Sequence, residues 1–207
     1  MSIVKLNNRS VKDITAFGSI SSLGSLTHIA TQTASSSSSI SFTSGIDSTY
    51  KEYIFYFVNM HPSSDGGMFS FQADTGTNTN YNQTITSTHP YATHNEGDSA
   101  TALGYYLHGD QAQGTGFQHL SGEIGNGSDE CCSGYLHLFN PSSSVSVKHF
   151  ISNANTLQRT DYSWYSFTAG YFNTTTALTR VQFKMVSETN QNLGNIDSGQ
   201  ILLFGLN

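Results

Sequence analysis

The chain is short of charge. Asp, Glu, Lys and Arg make up 11% of its 207 residues, where about 25% is usual. Basic residues are the scarcest, eight Lys and Arg against fourteen Asp and Glu, for a net charge of −6. Eight scattered cations make a poor track for phosphates, which argues against a nucleic-acid partner. Cysteine is nearly missing too. Cys131 and Cys132 are adjacent, and a disulfide between neighbours needs a distorted backbone. A reduced pair is expected, not the disulfide framework of a small secreted domain. No apolar run approaches the roughly 18 residues of a membrane-spanning helix. Residues 1–9 lack the apolar centre of a signal peptide, so synthesis in a cytoplasm, outside the secretory route, is expected.

What replaces the charge is neutral and polar. Ser, Thr and Asn number 31, 23 and 16, about a third of the chain. Aromatics are abundant, with 13 Phe and 11 Tyr beside one Trp. With 36% hydrophobic residues, the chain can bury a core. Helix formers are scarce while aromatic and β-branched residues are common, so the fold class is all-β.

The strand signals are frequent. Candidates are Leu26–Gln32, Ile40–Phe42, Lys51–Met60, Met68–Gln72, Thr101–His108, Phe117–Leu120, Tyr135–Phe139, Val145–Ile151, Tyr162–Phe172, Leu178–Val186 and Ile201–Phe204. Lys51–Met60 is almost continuously apolar and reads as a central strand buried on both faces. Met68–Gln72 reads as its hairpin partner, and Val145–Ile151 as the partner of Tyr135–Phe139. Leu178–Val186 alternates a polar and an apolar face. Asp74–Ala100 is polar and reads as one long loop. Nine to eleven strands without a fixed repeat predict a jelly-roll-like antiparallel β-sandwich over residues 26–207.

Residues 1–25 stand apart. They hold Lys5, Arg9 and Lys12 against the single acid Asp13. This segment reads as an extended, basic N-terminal arm that attaches the domain to something else.

Catalytic and metal-binding signals are weak. None of the eight histidines has a partner at zinc spacing. A site gathered from distant strands, as in a metal-dependent cupin-like enzyme, is the third reading of the chain. Asp74–Asn80 has alternating oxygen ligands but no closing Glu for a calcium loop. Glu96 with Asp98, and Glu123 with Asp129 and Glu130, read as solvated loop charges and not as paired acids. Gly-x-Ser-x-Gly is absent. No enzyme activity, metal or cofactor is expected. Tyr81, Tyr91, Tyr105 and Tyr106 lie in or beside the polar segment. Aromatic rings beside Asn and Asp could stack on sugars, so they mark a candidate ligand-binding loop for a host-surface glycan.

Two ends of the chain carry a resemblance. Leu178-Thr179-Arg180-Val181-Gln182-Phe183 is followed by Asp197-Ser198-Gly199-Gln200-Ile201-Leu202-Leu203-Phe204-Gly205-Leu206. This resembles a recurrent ending of tailed-phage virion structural proteins, a strand leading to a Leu-Tyr-Gly-Ile finish. Phe204 and Leu206 depart from that finish. Residues 3–13, 45–53 and 59–62 are similar to virion proteins of marine phages and cyanophages. The resemblance implies a capsid decoration or tail-fibre protein, located in the virion and made in the host cytoplasm. It implies other capsid or tail proteins as partners, and a homo-oligomer, with a trimer the expected state. The alternative within the same setting is a receptor- or glycan-binding module of a tail fibre. The shared motifs are structural, so no functional residue carries over.

Overall fold

A computed structural model describes residues 26–206. Lys5, Arg9 and Lys12 lie outside the described residues. Fourteen strands and no helix make up the described part. They are β1 (Thr27–Thr33), β2 (Ile40–Phe42), β3 (Glu52–Pro62), β4 (Met68–Thr75), β5 (Ile85–Thr88), β6 (Pro90–Asn95) and β7 (Thr101–Tyr105). They continue as β8 (Ala112–Gly114), β9 (Gln118–His119), β10 (Cys132–Phe139), β11 (Lys148–Gln158), β12 (Tyr162–Phe172), β13 (Leu178–Val186) and β14 (Ile196–Leu206).

Two antiparallel sheets form a sandwich. The larger has ten strands in the order β1-β14-β3-β10-β11-β12-β5-β8, with β6 on the other half of β12 and β7 beyond it. The smaller has the order β2-β13-β4-β9. The chain passes repeatedly from one sheet to the other, so the nearest neighbours of most strands are distant in sequence. This is the all-β antiparallel sandwich that composition and spacing predicted.

Phenylalanine rings join the two sheets. Phe55 on β3 meets Phe42 and Phe183 of the small sheet, with ring centres 5.3 and 5.5 Å apart. Phe57 packs on Phe69 at 5.0 Å. Phe150 and Phe172 meet Phe71 at 5.1 and 5.8 Å. These rings are sealed from solvent. Each such burial stabilises the fold by roughly 1.5–3 kcal/mol.

Several local expectations hold. β12 covers Tyr162–Phe172, β11 pairs with β10, and β13 turns Val181, Phe183 and Met185 inward while Arg180, Gln182 and Lys184 stay at the surface. Others are corrected. Met68–Gln72 is not the hairpin partner of Lys51–Met60. β3 lies in the large sheet and β4 in the small one, because both carry Phe side chains for the same core and only opposite sheets bring those together. Lys51–Met60 is also not buried on both faces, since Tyr56 and Val58 are 36% and 44% exposed. Asp74–Ala100 is not one long loop. β5 and β6 lie within it and pair with the two halves of β12.

The C-terminal strand is interior to the large sheet, between β1 and β3. Gly199 sits in a bulge of β14 at φ +120°, where an added Cβ would stand 2.7 Å from the Asn59 carbonyl oxygen. Gly205 lies inside the strand beneath the Tyr50 ring.

Candidate interaction face

One face of the large sheet looks onto the core. The other has no second layer among the described residues. Its side chains line up by register. Leu202, Tyr56, Tyr135, Asn153 and Phe167 stand opposite one another across β14, β3, β10, β11 and β12. Phe204, Ile54, His137, Ile151 and Ala169 form the next row. Tyr165, Ala92 and Leu103 extend the surface across β12, β6 and β7. The solvent side of an antiparallel sheet is ordinarily polar. Here it is aromatic and aliphatic.

The rings on this face support one another. Tyr56 lies 5.8 Å from Phe204 and 6.3 Å from Tyr135, and His28 lies 5.3 Å from Phe204. Asn153 holds two phenols in place. Its amide donates to Tyr135 Oη at 2.6 Å, and its Oδ1 accepts from Tyr165 Oη. At one end Pro90, Ala92, Leu103, Tyr165 and Phe167 line a shallow apolar groove of about 240 Å³. Leu103 is 85% exposed there. No Lys or Arg occupies an outward position from β14 to β12. Two carboxylates stand at the ends of those strands' outward side: Glu52, 2.7 Å from His137 Nε2, and Asp197, 3.7 Å from His61 Nδ1.

The four tyrosines singled out by sequence do not form one loop. Tyr81 is buried at φ +47°, and its N–H donates to Asp74 Oδ2 at 2.9 Å. Asp74 Oδ1 accepts from the Thr75 N–H and from Gln83 Nε2. Both carboxylate oxygens thus organise the 76–84 loop. Tyr91 stacks on Trp164 at 4.4 Å with 17° between the rings. Glycines bracket this stack. A Cβ on Gly122 would stand 2.8 Å from the indole, and one on Gly104 would stand 2.9 Å from Tyr91 Oη. The stack therefore pins the β6–β7 hairpin to the body, and its ring faces are largely used. Tyr106 sets its edge against Trp164 and donates to Glu188 Oε1 at 3.1 Å, and Tyr105 donates to Asp110 Oδ2 at 2.7 Å. Burial and the Glu188 carboxylate push the Tyr106 phenol well up, so it stays protonated.

Beside this aromatic corner two histidines are sealed inside. His89 Nδ1 lies 3.2 Å from the Gly109 carbonyl, and its Nε2 has no partner. His119 Nε2 lies 3.4 Å from Asn190 Nδ2, and its Nδ1 has no partner. Burial holds both rings neutral, lowering His89 to about 4 and His119 to about 3.

A polar cleft of about 770 Å³ opens where β3 and β14 bulge against each other, with Asn59, His61, Cys131 and Asp197 in its wall. His61 Nε2 donates to the Gly127 carbonyl at 3.0 Å, and Nδ1 lies 3.7 Å from Asp197 Oδ2. Histidine, aspartate and thiol in one cleft invite a nucleophile reading. The thiol is wrong for it. Burial first, and then the Asp129 charge, raise Cys131 and hold it protonated, whereas a reactive cysteine needs its thiolate favoured. Glu130 is engaged by the Gly127 N–H. Among the described residues no three His, Cys, Asp or Glu side chains gather closely enough to hold a metal ion.

No family model, curated protein or solved structure matches this chain.

Proposed function

We propose that the chain is a structural subunit of a phage virion, without catalytic activity. In this reading it is a β-sandwich held to the capsid or tail by its basic arm and packed against neighbouring copies. One observation carries the packing role: the outer face of the large sheet is aromatic, carries its carboxylates only at its ends, and has no second layer among the described residues. Exposed apolar surface of that extent marks an interaction site in a protein that must stay in solution. The composition agrees. A chain with few charges and many Ser, Thr and Asn residues presents hydrogen-bonding surface to its neighbours without carrying charge into an interface core. The virion setting rests on the resemblance of residues 178–183 and 197–206, and the arm on Lys5, Arg9 and Lys12.

The test is incorporation into particles. The triple variant Lys5→Glu, Arg9→Glu, Lys12→Glu keeps the sandwich sequence intact. It should fold normally and be lost from purified virions. Incorporation at the wild-type level would remove the attachment role of the arm.

A further inference from the structure

The outer face of the large sheet fits one partner better than any other, a second copy of itself. We infer that two copies pair face to face through this surface about a two-fold axis. The inference rests on the packing role proposed above and specifies the partner and its symmetry.

Charge is the first argument. The chain carries −6 overall, and residues 26–207 carry −8, so two copies repel over most approaches. The outward positions from β14 to β12 hold no Lys or Arg, and their two carboxylates stand at opposite ends of the face, Glu52 at the start of β3 beside His137 and Asp197 near the start of β14 beside His61. Identical copies can therefore meet through its uncharged centre with little like-charge penalty. A strongly basic or acidic partner finds nothing complementary on it.

Area is the second argument. The face crosses β14, β3, β10, β11 and β12, with β6 beyond them. With strands about 4.8 Å apart and residues rising about 3.4 Å, a tract of that width and about eight residues long covers on the order of 800 Å². A stable protein interface takes about 800 Å² from each partner. The surface is thus large enough to hold a dimer without help.

Symmetry is the third argument. A patch that meets its own copy requires a two-fold axis, because each residue contacts its counterpart's neighbours reciprocally. A three-fold ring needs two different complementary patches, and only one broad apolar face is present among the described residues. The resulting assembly has the sheets stacked about 10 Å apart, as in the packing of two β-sheets within one protein. Tyr56 and Phe167 lie in its middle row, and Leu103 lies toward its margin.

Sedimentation velocity on the full chain tests this over about 1–100 µM, the range in which an interface of ordinary size shows itself. The wild type should be a dimer. Tyr56→Lys and Phe167→Lys each bring like charges together across the axis and should weaken it at least about a hundredfold. Circular dichroism should be unchanged. If either variant fails to fold, Leu103→Lys supplies the same reading from a side chain 85% exposed, and a loss of about tenfold is expected. A monomeric wild type, a trimer, or a dimer indifferent to all three lysines overturns the inference. A monomer that still enters virions overturns only the dimer. A dimer through this face whose chain appears in no particle overturns only the virion reading.

Discussion

Phe55 and Phe57 alternate along β3 with Ile54, Tyr56 and Val58. The first pair is sealed from solvent, while Tyr56 and Val58 are 36% and 44% exposed. The two faces of the large sheet are therefore built from the same kinds of residue and differ in what covers them. The inner face meets the four-stranded sheet, and ring packs on ring from both sides. The outer face has no second layer among the described residues. Side-chain chemistry thus marks a surface that wants to be covered, and topology decides whether the cover is intramolecular.

That difference predicts unequal costs of truncation. Phe183 is the hub of the inner layer. It stacks on Phe69 at 5.4 Å and touches Phe42, Phe55 and Phe71 at 6.3, 5.5 and 6.3 Å. Phe183→Ala leaves a cavity that rigid strands cannot close, and urea denaturation should show a loss of about 3–5 kcal/mol. A loss under about 1 kcal/mol would mean that the two sheets are not packed as described.

Acid attacks the inner layer by another route. His89 and His119 are neutral in the fold, at about 4 and about 3, against 6.5 when unfolded. The unfolded chain therefore binds more protons below pH 6.5. Their contribution is whole above that value and falls away as the pH drops through the window between the unfolded and folded values. Each histidine should steepen the loss by up to about 1.4 kcal/mol per pH unit. His119→Gln should flatten the acid limb of the stability profile by that amount, whatever it does to stability at neutral pH. An unchanged slope would place a charged or solvated ring where the fold has a sealed one.

Much of the fold was legible from the residues themselves. Alternation located β13, and the aromatic-rich run Tyr162–Phe172 coincides with β12. Sheet membership was not legible. β3 and β4 follow one another like a hairpin, and only non-local pairing with β14, β10, β13 and β9 divides them between sheets. β5 and β6 were hidden because Ser, Thr, His and Asn dominate them. Pairing with β12 overrides their weak propensity. The interaction face is written in the sequence as strands that are apolar on both sides. In Lys51–Met60, Tyr135–Phe139 and Ile201–Phe204 both alternate sets are apolar, or nearly so. In Lys51–Met60 such a pattern reads as burial on both faces within one domain, yet it equally describes a strand whose second face meets another molecule. Of the chosen tyrosines, Tyr91 and Tyr106 share an aromatic cluster with Trp164. Tyr81 belongs to the core, and no local signal distinguishes a ring that ends buried at a loop from one left in solvent.

The smallest effect is the most discriminating. Tyr56→Ser removes a ring as large as the one lost in Phe183→Ala, from the strand that also carries Phe57. As a monomer the protein should lose no more than about 0.5–1 kcal/mol, because water already reaches the ring. If the outer face is covered by a second copy, however, part of the wild-type stability comes from association and rises with protein concentration. The cost of Tyr56→Ser should then grow with concentration, while that of Phe183→Ala should not. Thermal melts at two concentrations a hundredfold apart separate the cases. A large cost that is the same at both would make the outer face part of the monomer's own core, and the distinction between the two sides of the sheet would disappear.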